Sequence, residues 1–240
     1  MAREPSVVTP ARYATGMTFP QYLAYIATPE NLARESSPTG GGVRRDWSAQ
    51  LRQAYDALTL DEARAAAWRW VVAQPGGPAK ILVIAEEWSS DCRRDLPAIA
   101  RVADTAGMEL RIVRRDGQKF SRSQRPSLAE APDSNADIMA EFLNPKEGQT
   151  WQSIPVAVFY TKDLEYLYHY VEYPATYHKD RLRGHMMKSR AGESDAAAQA
   201  RGNREFVELQ GSPFFRMWAL AATDEMLAAL HERLTVGSLA

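Results

Sequence analysis

Cys92 is the one thiol in a chain of 240 residues, and it lies in the stretch EEWSSDCRRDLP, residues 86 to 97. A cysteine works chemically as its thiolate, which attacks a disulfide sulfur or a peroxide oxygen. Left protonated and enclosed, it behaves as a small apolar side chain. If Ser89 or Ser90 caps a helix, Cys92 falls in the first turn, where unpaired backbone N–H groups and the positive end of the helix dipole favour the thiolate. Arg93 and Arg94 push the same way. Asp91 and Asp95 push back, and burial would raise the pKa, so the local sequence leaves the sign of the net shift open.

Other chemistries find less support. Ser89 has no G-x-S-x-G elbow around it and no adjacent activating base, so it reads as a helix cap or hydrogen-bond partner. The histidines at 169, 178, 185 and 231 show neither H-x-x-x-H nor HExxH spacing, and no metal or cofactor is expected. No phosphate-binding glycine loop occurs. The basic run RIVRRDGQKFSRSQR (111–125) could meet an anion, but reads as a solvated strand end and loop. The tyrosines of YLYHYVEYPATYH suit a packed strand.

The elements that would position Cys92 follow from periodicity. AKILVIAEEW (79–88) is apolar without alternation and too short for a long helix, which predicts a strand buried on both faces. Leu96, Ile99, Ala103 and Ala106 share one helical face, Gly107 ends it, and MELRIVRRD is a second strand. Strand, helix, strand is a βαβ unit with parallel strands. Residues 133–143 predict a capped helix, and IPVAVFYT with LEYLYHYVEY predicts an antiparallel pair. Helices are expected over 18–34, over 46–72 and through most of 176–240, with ESSPTGGGVRRD as a loop. The division expected is a helical N-terminal extension (1–77), a core (78–173) and a C-terminal helical segment packing on it (174–240).

Twenty-nine basic residues against thirty acidic ones give a net charge of −1, so no overall field would gather nucleic acid or an anionic membrane. One cysteine precludes an internal disulfide. Together with a polar, proline-interrupted N-terminus, that predicts a cytoplasmic protein.

The core order, with a strand leading into Trp-x-x-x-Cys at the head of a helix, resembles the thioredoxin fold. The family pattern W-C-x-x-C, with a proline five residues after the second cysteine and a later cis-proline, falls on Trp88, Ser89, Cys92, Pro97 and Ile154-Pro155. The string is most similar to a bacterial branch whose motif is close to W-C-x-D-[AC]-x-x-x-x-P. The resemblance implies an α/β thioredoxin-like fold, a central mixed sheet flanked by helices. Ser89 departs from it by replacing the attacking cysteine, and the family's buried acid falls on Val83 unless Glu86 or Glu87 stands in. Ser89-x-x-Cys92 also resembles the peroxiredoxin motif, although the proline expected there falls on Ala85.

What the resemblance implies is therefore one of two things. The chain is an atypical thiol oxidoreductase in which Cys92 acts on a protein disulfide, a low-molecular-weight thiol or a peroxide, with Ser89 as hydroxyl partner and Trp88, Ile154 and Pro155 receiving the substrate. Otherwise it is a redox-inactive binding or interaction module that keeps the groove and has lost the chemistry.

Overall fold

The computed structural model describes residues 6–37 and 42–237. Residues 38–41 of the expected ESSPTGGGVRRD loop lie outside the described residues.

The apolar run becomes β1 (Lys80–Ala85), whose last five side chains are all buried. It lies between two neighbours in a four-stranded sheet. β2 (Glu109–Arg114) pairs with it in parallel, and β5 (Val156–Tyr160) pairs with it antiparallel. β6 (Tyr166–Val171) closes the order β2-β1-β5-β6 through an antiparallel ladder with β5. This is a mixed sheet with the βαβ unit at one side, and central β1 needs no polar face because both its faces are covered. The open edge of β2 is partly covered by Met17, whose N–H and C=O exchange bonds of 2.8 and 2.7 Å with Ile112.

The crossover is α6 (Ser90–Ala106). Ser89 caps it, its hydroxyl accepting from the Cys92 N–H, and Gly107 ends it at φ 74°, a left-handed conformation that glycine adopts without a Cβ penalty. Most of α6 is buried on all sides because α4 (Ser48–Ala57), α5 (Glu62–Val72) and α10 (Pro213–Thr235) pack against it as the sheet does. The main apolar core runs through all three segments. Tyr22, Leu51 and Trp68 enter from the N-terminal side and Ala222, Met226 and Leu230 from the C-terminal side. Trp68, fully buried, stacks on Phe159 of β5 with ring centroids 6.0 Å apart. No helix among the described residues is long and apolar enough to cross a membrane.

Three expected elements differ from those observed. The helix over 18–34 divides into α2 (Phe19–Ile26) and α3 (Pro29–Leu32), preceded by α1 (Pro10–Ala14), because Pro29 cannot donate and Thr28 caps a new start. The helix over 46–72 breaks into α4 and α5, since Leu58 turns extended and the Asp61 carboxylate caps α5 by accepting from the Arg64 N–H at 2.8 Å. The helix over 133–143 shrinks to α7 (Ala136–Ala140) without a side-chain cap. The Asn135 amide donates to the Arg114 carbonyl at 2.8 Å, and its oxygen accepts from Arg12. A short hairpin, β3 (Asn144–Lys146) and β4 (Gln149–Trp151), turns at Glu147-Gly148, both with positive φ. The C-terminal segment folds as α8 (Lys179–Met186), α9 (Asp195–Gln210) and α10.

Candidate functional site

The end of β1, the head of α6 and the loop before β5 meet at one point. Ser89 is 7% exposed and Cys92 1%. As the cap, Ser89 places its hydroxyl 3.4 Å from the Cys92 backbone nitrogen and donates to the Ile154 carbonyl at 3.5 Å. The Ile154–Pro155 bond is cis, and both residues are buried. Four of the five expected site residues thus form a layer, with the Cys92 sulfur enclosed beneath Ser89.

Burial pushes the Cys92 thiol up to about 12, although the Glu86 backbone and the Ser89 hydroxyl both favour the thiolate. The two flanking arginines do not counter the burial, because their groups are engaged elsewhere. Arg93 donates to the carbonyls of Glu87 (2.9 Å) and Trp88 (2.8 Å) and to Gln210, and its guanidinium lies 4.1 Å from the Trp47 ring centre. Arg94 donates twice to Asp95 and once to Asp91, each at 2.7 Å. Tyr170 of β6 donates to the same Asp95 at 3.0 Å, and burial raises that carboxyl to about 6 against the pull of Arg94.

Val83, at the family's acid position, is an apolar residue of β1 with no exposure. Glu86 and Glu87 do not offer themselves instead, because the N-terminal arm holds them. Arg34 donates to Glu86 at 2.8 Å. One nitrogen of Arg44 reaches Glu86 at 2.7 Å and Glu87 at 2.7 and 2.8 Å. The Asp116 N–H adds a further bond to Glu86 at 2.8 Å. Burial raises the Glu86 carboxyl, but the two guanidiniums and that N–H together bring it below the usual carboxylate range. Burial and the adjacent Glu86 charge leave Glu87 above it.

Beside Ser89 opens a groove of about 580 Å³ lined by Trp88, Ser89 and Ile154. Arg115 and Phe120 line it as well and cluster with Trp88, the Arg115 guanidinium 5.1 Å from the Trp88 ring centre and Phe120 edge-on to Trp88 at 5.5 Å. Exposed Trp151 of the β3–β4 hairpin stands at the rim. Among the other lining residues, Lys179 pairs with Asp91, and Glu172 carries a left-handed φ of 70°. The Glu172 backbone is fixed from both sides, its N–H donating to the Pro155 carbonyl at 2.9 Å and its carbonyl accepting from Arg94 at 3.2 Å.

The basic run singled out in the sequence divides its work. Arg111 pairs with Glu109, Arg114 donates to the Tyr25 hydroxyl, and Arg115 forks onto Asp116. Sequence reasoning missed most of the groove's other lining residues. Phe120, Trp151, Glu172 and Lys179 come from separate segments, and no motif joins them.

Residues 44–132 match the sequence model of the thioredoxin family. A comparison with curated proteins gives no match. Two solved structures are similar over most of their length. A protein of unknown function from Pseudomonas aeruginosa is 15% identical, with 85% of this chain and 98% of that chain covered and a TM-score of 0.44. An HIV epitope scaffold is 14% identical, with 87% and 96% covered and a TM-score of 0.41. The family match spans β1, α6 and β2 and includes Trp88, Ser89 and Cys92, so the chain contains a thioredoxin-like domain.

Proposed function

We propose that this protein is a thioredoxin-like binding module, which receives an extended polypeptide in the groove beside Ser89 and Ile154 and carries out no thiol–disulfide exchange. The observation that carries this reading is the layering of Ser89 over Cys92. Exchange needs an exposed thiolate to attack and a second thiol to resolve the mixed disulfide. Here a hydroxyl faces the groove and the one thiol is enclosed and protonated. The groove is lined by aromatic residues (Trp88, Phe120, Trp151) and by charged ones (Arg115, Glu172, Lys179), a mixture suited to a peptide.

The test is a ¹⁵N-edited NMR titration of the full chain with pools of extended peptides, with and without an internal disulfide. Shifts confined to Trp88, Ser89, Trp151, Ile154 and Glu172, without any mixed disulfide in the mass spectrum, are expected. Peptides that leave these resonances unmoved would refute the reading.

A second reading keeps Cys92 as a working thiol, and one observation favours it. Ser89 and the Glu86 backbone are both placed to stabilise a sulfur anion. In that case the thiolate would attack a disulfide, form a mixed disulfide and release the other sulfur as a thiolate. Ser89 would have to move aside first. Trapping of Cys92 by a low-molecular-weight disulfide in the native chain would favour this second reading over the first.

A further inference from the structure

A second cavity, of about 630 Å³, shares no lining residue with the groove. Its wall is α8 with the residues that flank it, and Trp218 of α10 completes it. His178 at the cap of α8, Arg181 and His185 within it and Lys188 just past its end all line this cavity. None of the four makes an ion pair among the described residues. Their neighbours do have partners. Lys179 is paired with Asp91, Arg190 with Glu205, and Arg183 lies over the Phe206 ring. Asp180, the one acid of the lining, is occupied by Lys146 and by the Tyr173 hydroxyl.

The helix dipole favours His185 and Lys188 at the C-terminal end of α8, but it does not account for Arg181. Arg181 lies in the first turn of α8, where the helix dipole disfavours a cation. Trp218 is fixed by Tyr177, which stacks on it with ring centroids 4.0 Å apart, so a rigid aromatic wall stands beside the basic residues. The volume is that of a small-molecule site. A net charge of −1 gives no wider field for an extended polyanion, so the positive potential here is local.

We propose that this cavity binds a nucleoside diphosphate, with its phosphate oxygens on Arg181, His185 and Lys188, which line it together, and its base against Trp218. Arginine and lysine supply charged donors to phosphate oxygens, and a histidine supplies at least one N–H in either charge state. This site is independent of the groove and of whatever the groove binds.

Calorimetric titration of the full chain with ADP, pyrophosphate and adenosine tests the proposal. ADP should bind more tightly than pyrophosphate, and adenosine most weakly. Added salt should weaken ADP binding. The double variant Arg181→Ala/Lys188→Ala removes two charge-assisted contacts and should weaken ADP by at least about tenfold. These exposed side chains have no ion-pair partners to lose among the described residues, so an unchanged thermal midpoint will show that the variant is folded. The proposal is overturned if neither ADP nor pyrophosphate binds at millimolar concentration, or if the double variant binds ADP as well as the parent does. Pyrophosphate binding as tightly as ADP would overturn the place given to the base at Trp218. A short DNA strand that displaces ADP more effectively than pyrophosphate does would overturn the small-ligand assignment.

Discussion

Arg44 and Glu86 are 42 residues apart in sequence and 2.7 Å apart in the fold, each side chain almost completely withdrawn from solvent. The same guanidinium holds Glu87, so the N-terminal arm is fastened to the turn that leads into α6. Replacing Arg44 with Ala leaves one pair of buried carboxylates with a single remaining cation, Arg34. The expected loss is about 3–5 kcal/mol in denaturant unfolding. Because Glu86 sits below the usual carboxylate range in the folded chain, its contribution is present above the unfolded pKa and fades as pH falls through the folded one. Removing Arg44 raises that folded pKa, so Arg44→Ala should lose less stability than the parent as pH falls, and the gap between the two should narrow on acidification. Parallel urea curves at neutral and acidic pH check both statements, and an unchanged midpoint at neutral pH would contradict the first.

Ser89→Cys should restore a reactive thiol. Its side chain would replace the hydroxyl that lines the groove, at the cap of α6, where backbone N–H groups favour a thiolate. Residues three apart at a helix start are also within disulfide reach, about 5–6 Å between Cα atoms. The introduced thiol should label at least about tenfold faster than Cys92 at neutral pH and form a disulfide with it on mild oxidation. Peptide mapping after brief alkylation settles this. Equal labelling of the two thiols would mean that the layering of residue 89 over residue 92 is wrong.

The Cys92 thiol also links stability to alkaline pH. Its folded pKa, about 12, lies above the unfolded value, so the folded chain keeps a proton that the unfolded chain gives up. Its contribution is fully present below the unfolded pKa and is lost as pH rises toward the folded one. With an unfolded value near about 8.5, that amounts to about 2 kcal/mol at about pH 10. Several buried tyrosines titrate in the same direction, so the measurement is the difference between the parent and Cys92→Ala. The variant's stability should fall less steeply between about pH 8.5 and 11. Parallel curves would show that Cys92 ionises freely in the folded state.

Much of this architecture was legible in the chain itself, for local physical reasons. The unalternating run at 80–85, Ser89 at the head of a helix and Gly107 at its end are each decided by neighbours within a few residues. The Ile154-Pro155 junction was legible because it fell at a family position. What was not legible depends on distant partners. Arg34 and Arg44 show nothing in sequence to assign them to Glu86 and Glu87, 42 to 52 residues later. A capped helix is expected over 133–143, but the Asn135 amide at its start donates to the Arg114 carbonyl and its oxygen accepts from Arg12. The sign of the Cys92 shift could not be read because two arginines and two aspartates compete on paper. In the fold they mostly satisfy one another, and burial decides. The hairpin at 144–151 did carry a signal, Glu147-Gly148, but three-residue strands are too short for a period to show.

The most direct test of the account is the rate of Cys92 alkylation as a function of pH, in the folded chain and in denaturant. With one cysteine, every labelled molecule reports the same site. An enclosed, protonated thiol predicts slow labelling of the folded chain that rises only toward about pH 12, against a midpoint near about 8.5 once unfolded. Fast labelling of the folded chain with a midpoint below about 8.5 would contradict it, and would make Cys92 the working thiol of an exposed site.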